Sequence, residues 1–195
     1  MTNHRPSHVI TYLDTLRHVL DELPLADVEK ALQIFEDVYN RNGTVFICGN
    51  GGSAATASHW VCDFSKGSIA TGARRFKMIS LNDNLPMLSA YANDVSYDHI
   101  FAEPLRTYAV QGDALVLITA SGNSPNILEA AKTAREIGVT SIGLIGFGGG
   151  KLASLVDHQI TVQCREYGPV EDLHMILDHV ISLHMRSVIA KSVHS

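Results

Sequence analysis

Five short apolar runs, "TVFICG" (44–49), "FKMISL" (76–81), "ALVLITA" (114–120), "TSIGLIG" (140–146) and "HQITVQC" (158–164), recur along the chain, and this alternation constrains the fold more than any other feature. Short apolar runs rich in β-forming residues, separated by helical stretches, mark the strands of a sheet with helices on both faces. The stretches between them, "GSAATASHWVCDFSK", "SYDHIFAEPLRTYAV" and "SPNILEAAKTAREIG", read as helices long enough to serve as crossovers. The expected fold is α/β, a mostly parallel five-stranded sheet flanked by helices.

Helices also open and close the chain. Residues 7–22 place Val9, Ile10, Leu13, Leu16, Val19 and Leu20 at helical spacing behind Ser7 as cap. After Pro24 a second amphipathic pattern carries Val28, Leu32, Ile34, Phe35 and Val38 and stops at Asn42-Gly43, a helix C-cap signal. A long final helix is predicted over 170–190. The organisation expected is one domain over 1–195, a helical pair in 1–42 followed by an α/β core in 43–195.

A hydrophobic content of 46 % with 18 % charged residues predicts a globular chain without long disorder. The net charge of −5 argues against a nucleic-acid partner, because neutralising phosphates requires clustered Lys and Arg, and only Arg74, Arg75 and Lys77 approach a cluster. Cys48, Cys62 and Cys164 are scattered without metal or disulfide spacing, which fits a reducing cytoplasm. The N-terminal "MTNHRPSHVITYL" lacks a signal-peptide pattern, and no apolar run reaches the about 20 residues that span a bilayer, so no membrane partner is expected.

Two glycine-rich turns carry the first chemistry. "CGNGGSAA" (48–55) lies at a strand-to-helix transition, where Gly49, Gly51 and Gly52 allow close backbone approach and Ser53 opens a helix whose free N–H groups can hold an anion. "TASGNSPNI" (119–127) repeats the arrangement with Ser121, Gly122, Asn123 and Ser124, and Pro125 suits the first helical position. The first is not a P-loop, since no Gly-Lys-Ser/Thr follows. Two such turns at the carboxyl ends of strands in one sheet point to a shared phosphate site. "GFGGGK" (146–151) reads as a structural turn, with Lys151 able to meet an anion.

His59-x-x-x-Asp63 puts an imidazole and a carboxylate on one helix face, a spacing that ligates a metal, pairs an acid with a base, or makes a surface pair. "VEDLHMILDHVISLHM" offers Glu171, Asp172, His174, Asp178, His179 and His184 beside a wide apolar stripe, and spacing does not choose among them. Glu171 and His179 stand two turns apart, about 12 Å along the axis. "NDVSYDHIF" places Asn93, Asp94, Asp98 and His99 in a polar break before a helix, where Asp98 or Ser96 suits a helix cap and Asn93 and Asp94 suit sugar hydroxyls if the break lies over the crevice.

Taken together, these motifs resemble the sugar isomerase (SIS) family of phosphosugar-binding domains, and more narrowly its phosphoheptose isomerases. The resemblance covers nearly the whole chain: two leading helices, "CGNGGS", a helical His-x-x-x-acid, "ND" before "IF", "SGNS" and the final His-bearing helix. It implies substrate contacts from Gly51, Gly52 and Ser53, phosphate binding by Ser121 and Ser124 with Thr119 and Ala120 in the same loop, and Asn93 and Asp94 at the sugar. It implies one zinc ion per subunit on His59, Asp63, Glu171 and His179. Asp63 stands where the family has Glu, Glu171 where it has Gln, and Ala120 where a hydroxyl is common.

The implied reaction is aldose–ketose isomerisation through an enediol, with Asp63 (or Glu171) as base, His179 as acid, and both carboxylates counted among the substrate contacts. The expected assembly is a homotetramer with sites between subunits. Two competing readings are a non-catalytic phosphosugar-binding or regulatory module, and an isomerase of other ketose or hexose phosphates. Paired histidines and acids favour an enzyme over the module.

Overall fold

The computed structural model describes residues 7–193; the first six residues of the segment considered for a leader lie outside the described part. Helices α1 (His8–Asp21) and α2 (Leu25–Asn40) lead into β1 (Val45–Gly49) and α3 (Gly52–Cys62), which passes directly into a π turn over Asp63–Gly67. There follow β2 (Met78–Ser80), α4 (Leu85–Asp94), α5 (Ala102–Tyr108), β3 (Ala114–Thr119) and α6 (Pro125–Glu136). The chain then runs through β4 (Thr140–Ile145) and β5 (His158–Thr161) to the 25-residue α7 (Tyr167–Lys191). All five strands are parallel, in the order β2-β1-β3-β4-β5.

The sequence signals act as read at the start. The Ser7 hydroxyl accepts from the Ile10 N–H at 3.3 Å, and α2 ends where Asn42 turns to φ 59° and the Gly43 N–H donates to the Val38 carbonyl. β1 and β3 are buried along their whole length, as strands with helices on both faces must be.

Side chains alternate across that sheet. Val45, Ile47, Val116 and Ile118 join a core with α2, α3 and α7, where Phe35, Trp60, Phe64 and Phe76 pack ring against ring. Phe46, Cys48, Leu115 and Leu117 face the opposite way, onto Phe101, Leu105 and Ile127 of the α5–α6 layer.

The region between β2 and β3 departs from expectation. Residues 85–94 form α4, so Asn93 and Asp94 end a helix rather than occupy a polar break. Asn84 caps α4 by accepting from the Met87 N–H, and Pro86 sits in its first turn. The single helix expected over 96–110 is split into a one-turn 3₁₀ segment, Tyr97–His99, and α5. Ser96 is extended and its hydroxyl accepts from the Asp98 N–H, so the chain starts a new turn there. At the sheet edge β2 pairs over only three residues and leaves Ile79 exposed. Among the described residues no helix is long and apolar enough to cross a membrane.

Two buried polar groups set how the fold responds to change. Asp113, at the start of β3, accepts from the Thr44 N–H at 2.8 Å and the Val110 N–H at 3.0 Å, tying the entries of β1 and β3 together. Hydrogen bonds to a charged acceptor contribute roughly 1.5–3 kcal/mol each. Asp113→Ala is therefore expected to lower the unfolding free energy by about 3 kcal/mol, read from the urea midpoint of the fluorescence of Trp60, the single tryptophan, which is fully buried.

His174 is fully buried on α7, and neither ring nitrogen has a hydrogen-bond partner of good geometry. Desolvation pushes its pKa down to about 4, the Ile145 carbonyl opposing this only in part. The native state therefore holds the ring neutral while the unfolded chain takes up a proton below its ordinary 6.5. Stability should fall as pH drops from about 6.5 toward 4, by an amount on the order of 3 kcal/mol. Unfolding curves across that range should show a distinctly shallower acid slope for His174→Leu.

Candidate active site

In the order β2-β1-β3-β4-β5 the progression of strands reverses between β1 and β3, so the connections leaving these parallel neighbours diverge and leave a crevice at their carboxyl ends. Both glycine-rich turns lie there, 49–52 after β1 and 119–124 after β3. They are locked to each other: the Asn50 amide donates to Asn126 Oδ1 and accepts from Asn126 Nδ2, each at 2.9 Å. The Tyr97 hydroxyl also reaches Asn50 Oδ1, and the Asn82 side chain holds both the N–H and the carbonyl of Gly49.

The "GFGGGK" turn supplies the brace for the second loop. Gly122 has φ +64°, and a Cβ there would collide with the Gly149 carbonyl, so only glycine fits. The Leu152 N–H donates to the Gly122 carbonyl and the Lys151 N–H to Asn123 Oδ1.

A cavity of about 140 Å³ opens between the two turns, lined by Asn50, Ser53, Ile118, Thr119, Ala120, Ser121, Ser124, Tyr167 and Glu171. Ser53 is in the first turn of α3 and Ser124 precedes α6, so the positive ends of two helix dipoles border the cavity. Glu171 enters from α7, and a Cβ on Gly52 would stand 3.0 Å from its Oε2; glycine is what lets the carboxylate approach the turn. A neighbouring cavity of about 290 Å³ shares Asn50 and includes Gly51, Asn82, Ala92 and Tyr97. Asn93 and Asp94 are exposed, bonded to each other at 2.7 Å, and line neither cavity. A larger cavity of about 560 Å³ lies at the β2 edge among Met78, Ile79, Pro86, Met87 and Tyr108. It shares no residue with either turn, so size does not locate the chemistry here.

Farther along α3 and α7 lies a second polar group. His59 Nε2 is 3.7 Å from Asp63 Oδ2 and 3.9 Å from Asp178 Oδ2, and His179 Nε2 is 3.8 Å from Asp63 Oδ2. The two imidazoles stand edge to face at 5.6 Å. Each of these four residues offers one ligand atom within 4.8 Å of all the others. Asp63 begins the π turn, whose wider ring closes when the Ser68 N–H donates to the Asp63 carbonyl; such turns recur at functional sites.

His59 and His179 are exposed, Asp63 is half-buried and Asp178 is fully buried with neither oxygen hydrogen-bonded. Burial, and then the charge of Asp63, push the Asp178 carboxyl up to about 7. Within one chain Glu171 does not join this group, because two turns of α7 separate it from His179 and it stands beside Gly52 instead. His184, also on α7, is taken by Glu36 of α2 at 2.6 Å.

Asn50, Asn126 and Tyr167 are not among the residues expected at the site, and Asp178, one of the candidates on the final helix that spacing does not sort, is not in the zinc set the resemblance implies. Asp178 had a signal in its position, since it shares the packed stripe of Leu177 and Ile181, where a carboxylate needs a partner.

The SIS domain model matches residues 11–146. The phosphoheptose isomerase of Mycobacterium tuberculosis (strain ATCC 25177 / H37Ra) is 42 % identical over 147 residues, 75 % of this chain and 74 % of that one. That of Aliarcobacter butzleri is 33 % identical over 172 residues, 88 % and 90 % of the two chains. Among solved structures, phosphoheptose isomerase GmhA from Neisseria gonorrhoeae superposes with a TM-score of 0.86 at 28 % identity, covering 92 % of this chain and 97 % of that one. The turns at the strand reversal, the His-x-x-x-acid helix behind them and these matches agree, and the chain belongs to the SIS domain family, in its phosphoheptose isomerase branch.

Proposed function

We propose that the chain isomerises a phosphosugar between ketose and aldose, with sedoheptulose 7-phosphate and D-glycero-D-manno-heptose 7-phosphate as the pair. The carrying observation is the crevice at the strand reversal, where two hydroxyl-bearing turns meet a carboxylate from α7. The hydroxyls of Ser53, Thr119, Ser121 and Ser124, with the first N–H groups of α3 and α6, hold the phosphate. In a 7-phosphate the reacting carbons, 1 and 2, are at the far end of the sugar from the phosphate. The Asp63–His179 pair, two turns along α7 from Glu171 and so roughly 12 Å away, suits a long sugar phosphate.

Asp63 takes the proton from carbon 1 of the ketose, and His179 protonates the carbonyl oxygen on carbon 2, giving the enediol. Return of the proton to carbon 2, with loss of the carbon 1 hydroxyl proton, gives the aldose. Glu171, beside the cradle, orients the sugar hydroxyls and is the second candidate base.

Two imidazoles and a carboxylate form a donor set that suits zinc, and the unpartnered oxygens of Asp178 beside them fit a cation. Zinc held by His59 and His179 with a neighbouring carboxylate would polarise the carbonyl oxygen that His179 otherwise protonates. The acid and base groups, and the enzyme names of the relatives, weigh against a purely regulatory binding module. The free cysteines Cys48, Cys62 and Cys164 support a reducing cytoplasm as its location.

A homotetramer with sites between subunits is the assembly we favour. Val9, Ile10, Leu13 and Leu20 on α1 are exposed, as are Val180 and Leu183 on α7 next to His179. Light scattering should give the mass of four chains; a monomer at micromolar concentration would remove the subunit-boundary site.

His179→Ala should lower turnover of sedoheptulose 7-phosphate at least about 100-fold, while calorimetry finds phosphosugar affinity within about threefold of the parent, as expected for a group that acts on the transition state. Undiminished turnover would refute the role. Binding without turnover by the parent protein, with or without added zinc, would refute the isomerase.

A further inference from the structure

We propose that Asp178 is the buried carboxylate ligand of a divalent-cation site completed within a single chain, together with the imidazoles of His59 and His179. The proposal rests on reading these histidines as cation ligands, and it adds the residue that closes the set.

Asp178 is fully buried, yet neither oxygen accepts a hydrogen bond. An ionised carboxylate in that state is strongly destabilising unless a positive charge meets it. The neighbouring elements offer it only an imidazole, His59 at 3.9 Å, which is positive only when protonated. His174, one turn earlier on α7, has both nitrogens unbonded, so it makes no hydrogen bond to Asp178. From α3 and the π turn come only His59, at 3.9 Å, and Asp63, a second negative charge. Two carboxylates and two imidazoles gathered this closely are the composition of a metal site rather than of an ion pair.

The geometry agrees. Consecutive helical residues point about 100° apart, so Asp178 enters from the packed side and His179 from the exposed side, while His59 and Asp63 approach from α3 and its π turn. Within the proposed set His59 Nε2 and Asp178 Oδ2 stand 3.9 Å apart and the three ligand atoms lie within 4.8 Å of one another, above the roughly 3.4 Å edge of a tetrahedron with zinc–ligand bonds near 2.1 Å. A small inward movement of the side chains would close the gap.

Asp178 also relieves a conflict of roles. A catalytic zinc site needs three protein ligands and an open position. Two imidazoles and Asp178 supply the three, which leaves the half-buried Asp63 free to carry the proton. Glu171 then belongs wholly to the phosphosugar cradle.

The test uses the full chain stripped of metal and titrated with zinc and with cobalt(II). The parent should bind one cobalt per chain with the intense visible bands of a tetrahedral site, and zinc should raise its melting temperature. Asp178→Asn, nearly isosteric, should weaken zinc at least about 100-fold, more than the loss of an outer-shell group does, and should abolish the tetrahedral bands. Asp178→Leu should do the same and, without metal, should melt above the metal-free parent because the unpartnered carboxylate is gone. Glu171→Gln should bind zinc within about threefold of the parent.

Zinc affinity unchanged in Asp178→Asn, loss of the ion in Glu171→Gln, or no cation binding by the parent would each overturn the assignment. An Asp178→Leu chain that fails to fold leaves the decision with Asp178→Asn. Failure to isomerise sedoheptulose 7-phosphate with zinc bound as described would count against the catalytic reading and leave the ligand assignment standing.

Discussion

The reversal of strand order between β1 and β3 is the constraint on which the site depends. Because the two connections part there, no side chain fills the space at the strand ends, and the first turns of α3 and α6 border the same opening. Fixed dipoles and backbone N–H groups thus provide a standing anion site, with few rotamers to be ordered on binding. The Asn50–Asn126 pair, the Asn82 bridge to Gly49 and the glycine turn behind Gly122 keep the two loops at one separation.

Helix α7 combines packing with function. Leu173, Leu177, Ile181 and Met185 bury one of its faces, and the same face carries His174 and Asp178 without hydrogen-bond partners. A helix selected for stability alone would place apolar residues there. Two such groups on a packed face are the pattern expected where function competes with packing. Glu171, His174 and Asp178 follow one another at three and four residues, so a single helix face runs from the phosphate cradle to the histidine pair.

What was legible in the sequence was local. Apolar runs specify strands because each residue of β1 and β3 is buried, and glycine turns are legible because their backbone conformations admit little else. Helix α4 is faint in the sequence for a complementary reason: it has no fully buried residue and so carries no clear apolar period, leaving Asn84 and Pro86 as its markers. The site divided along the same line. Ser53, Thr119, Ala120, Ser121 and Ser124 meet around one cavity because each lies at a strand end that the topology brings together. Asp178 and Glu171 could not be sorted in advance, since their neighbours depend on the rotation of α7 against α3, a tertiary quantity. Asn93 and Asp94, assigned to the sugar by resemblance, lie on the exposed end of α4, outside the crevice of their own chain.

The amide pair joining the two turns has an implication for how such a sequence can change. Asn50 and Asn126 are 76 positions apart, yet each gives one hydrogen bond to the other and takes one back. An aspartate at either place would set acceptor against acceptor, and an apolar residue would strand the other amide, half-buried at Asn50 and buried at Asn126. A change at either position therefore disturbs both turns, so loops encoded far apart in the chain respond to substitution as one unit.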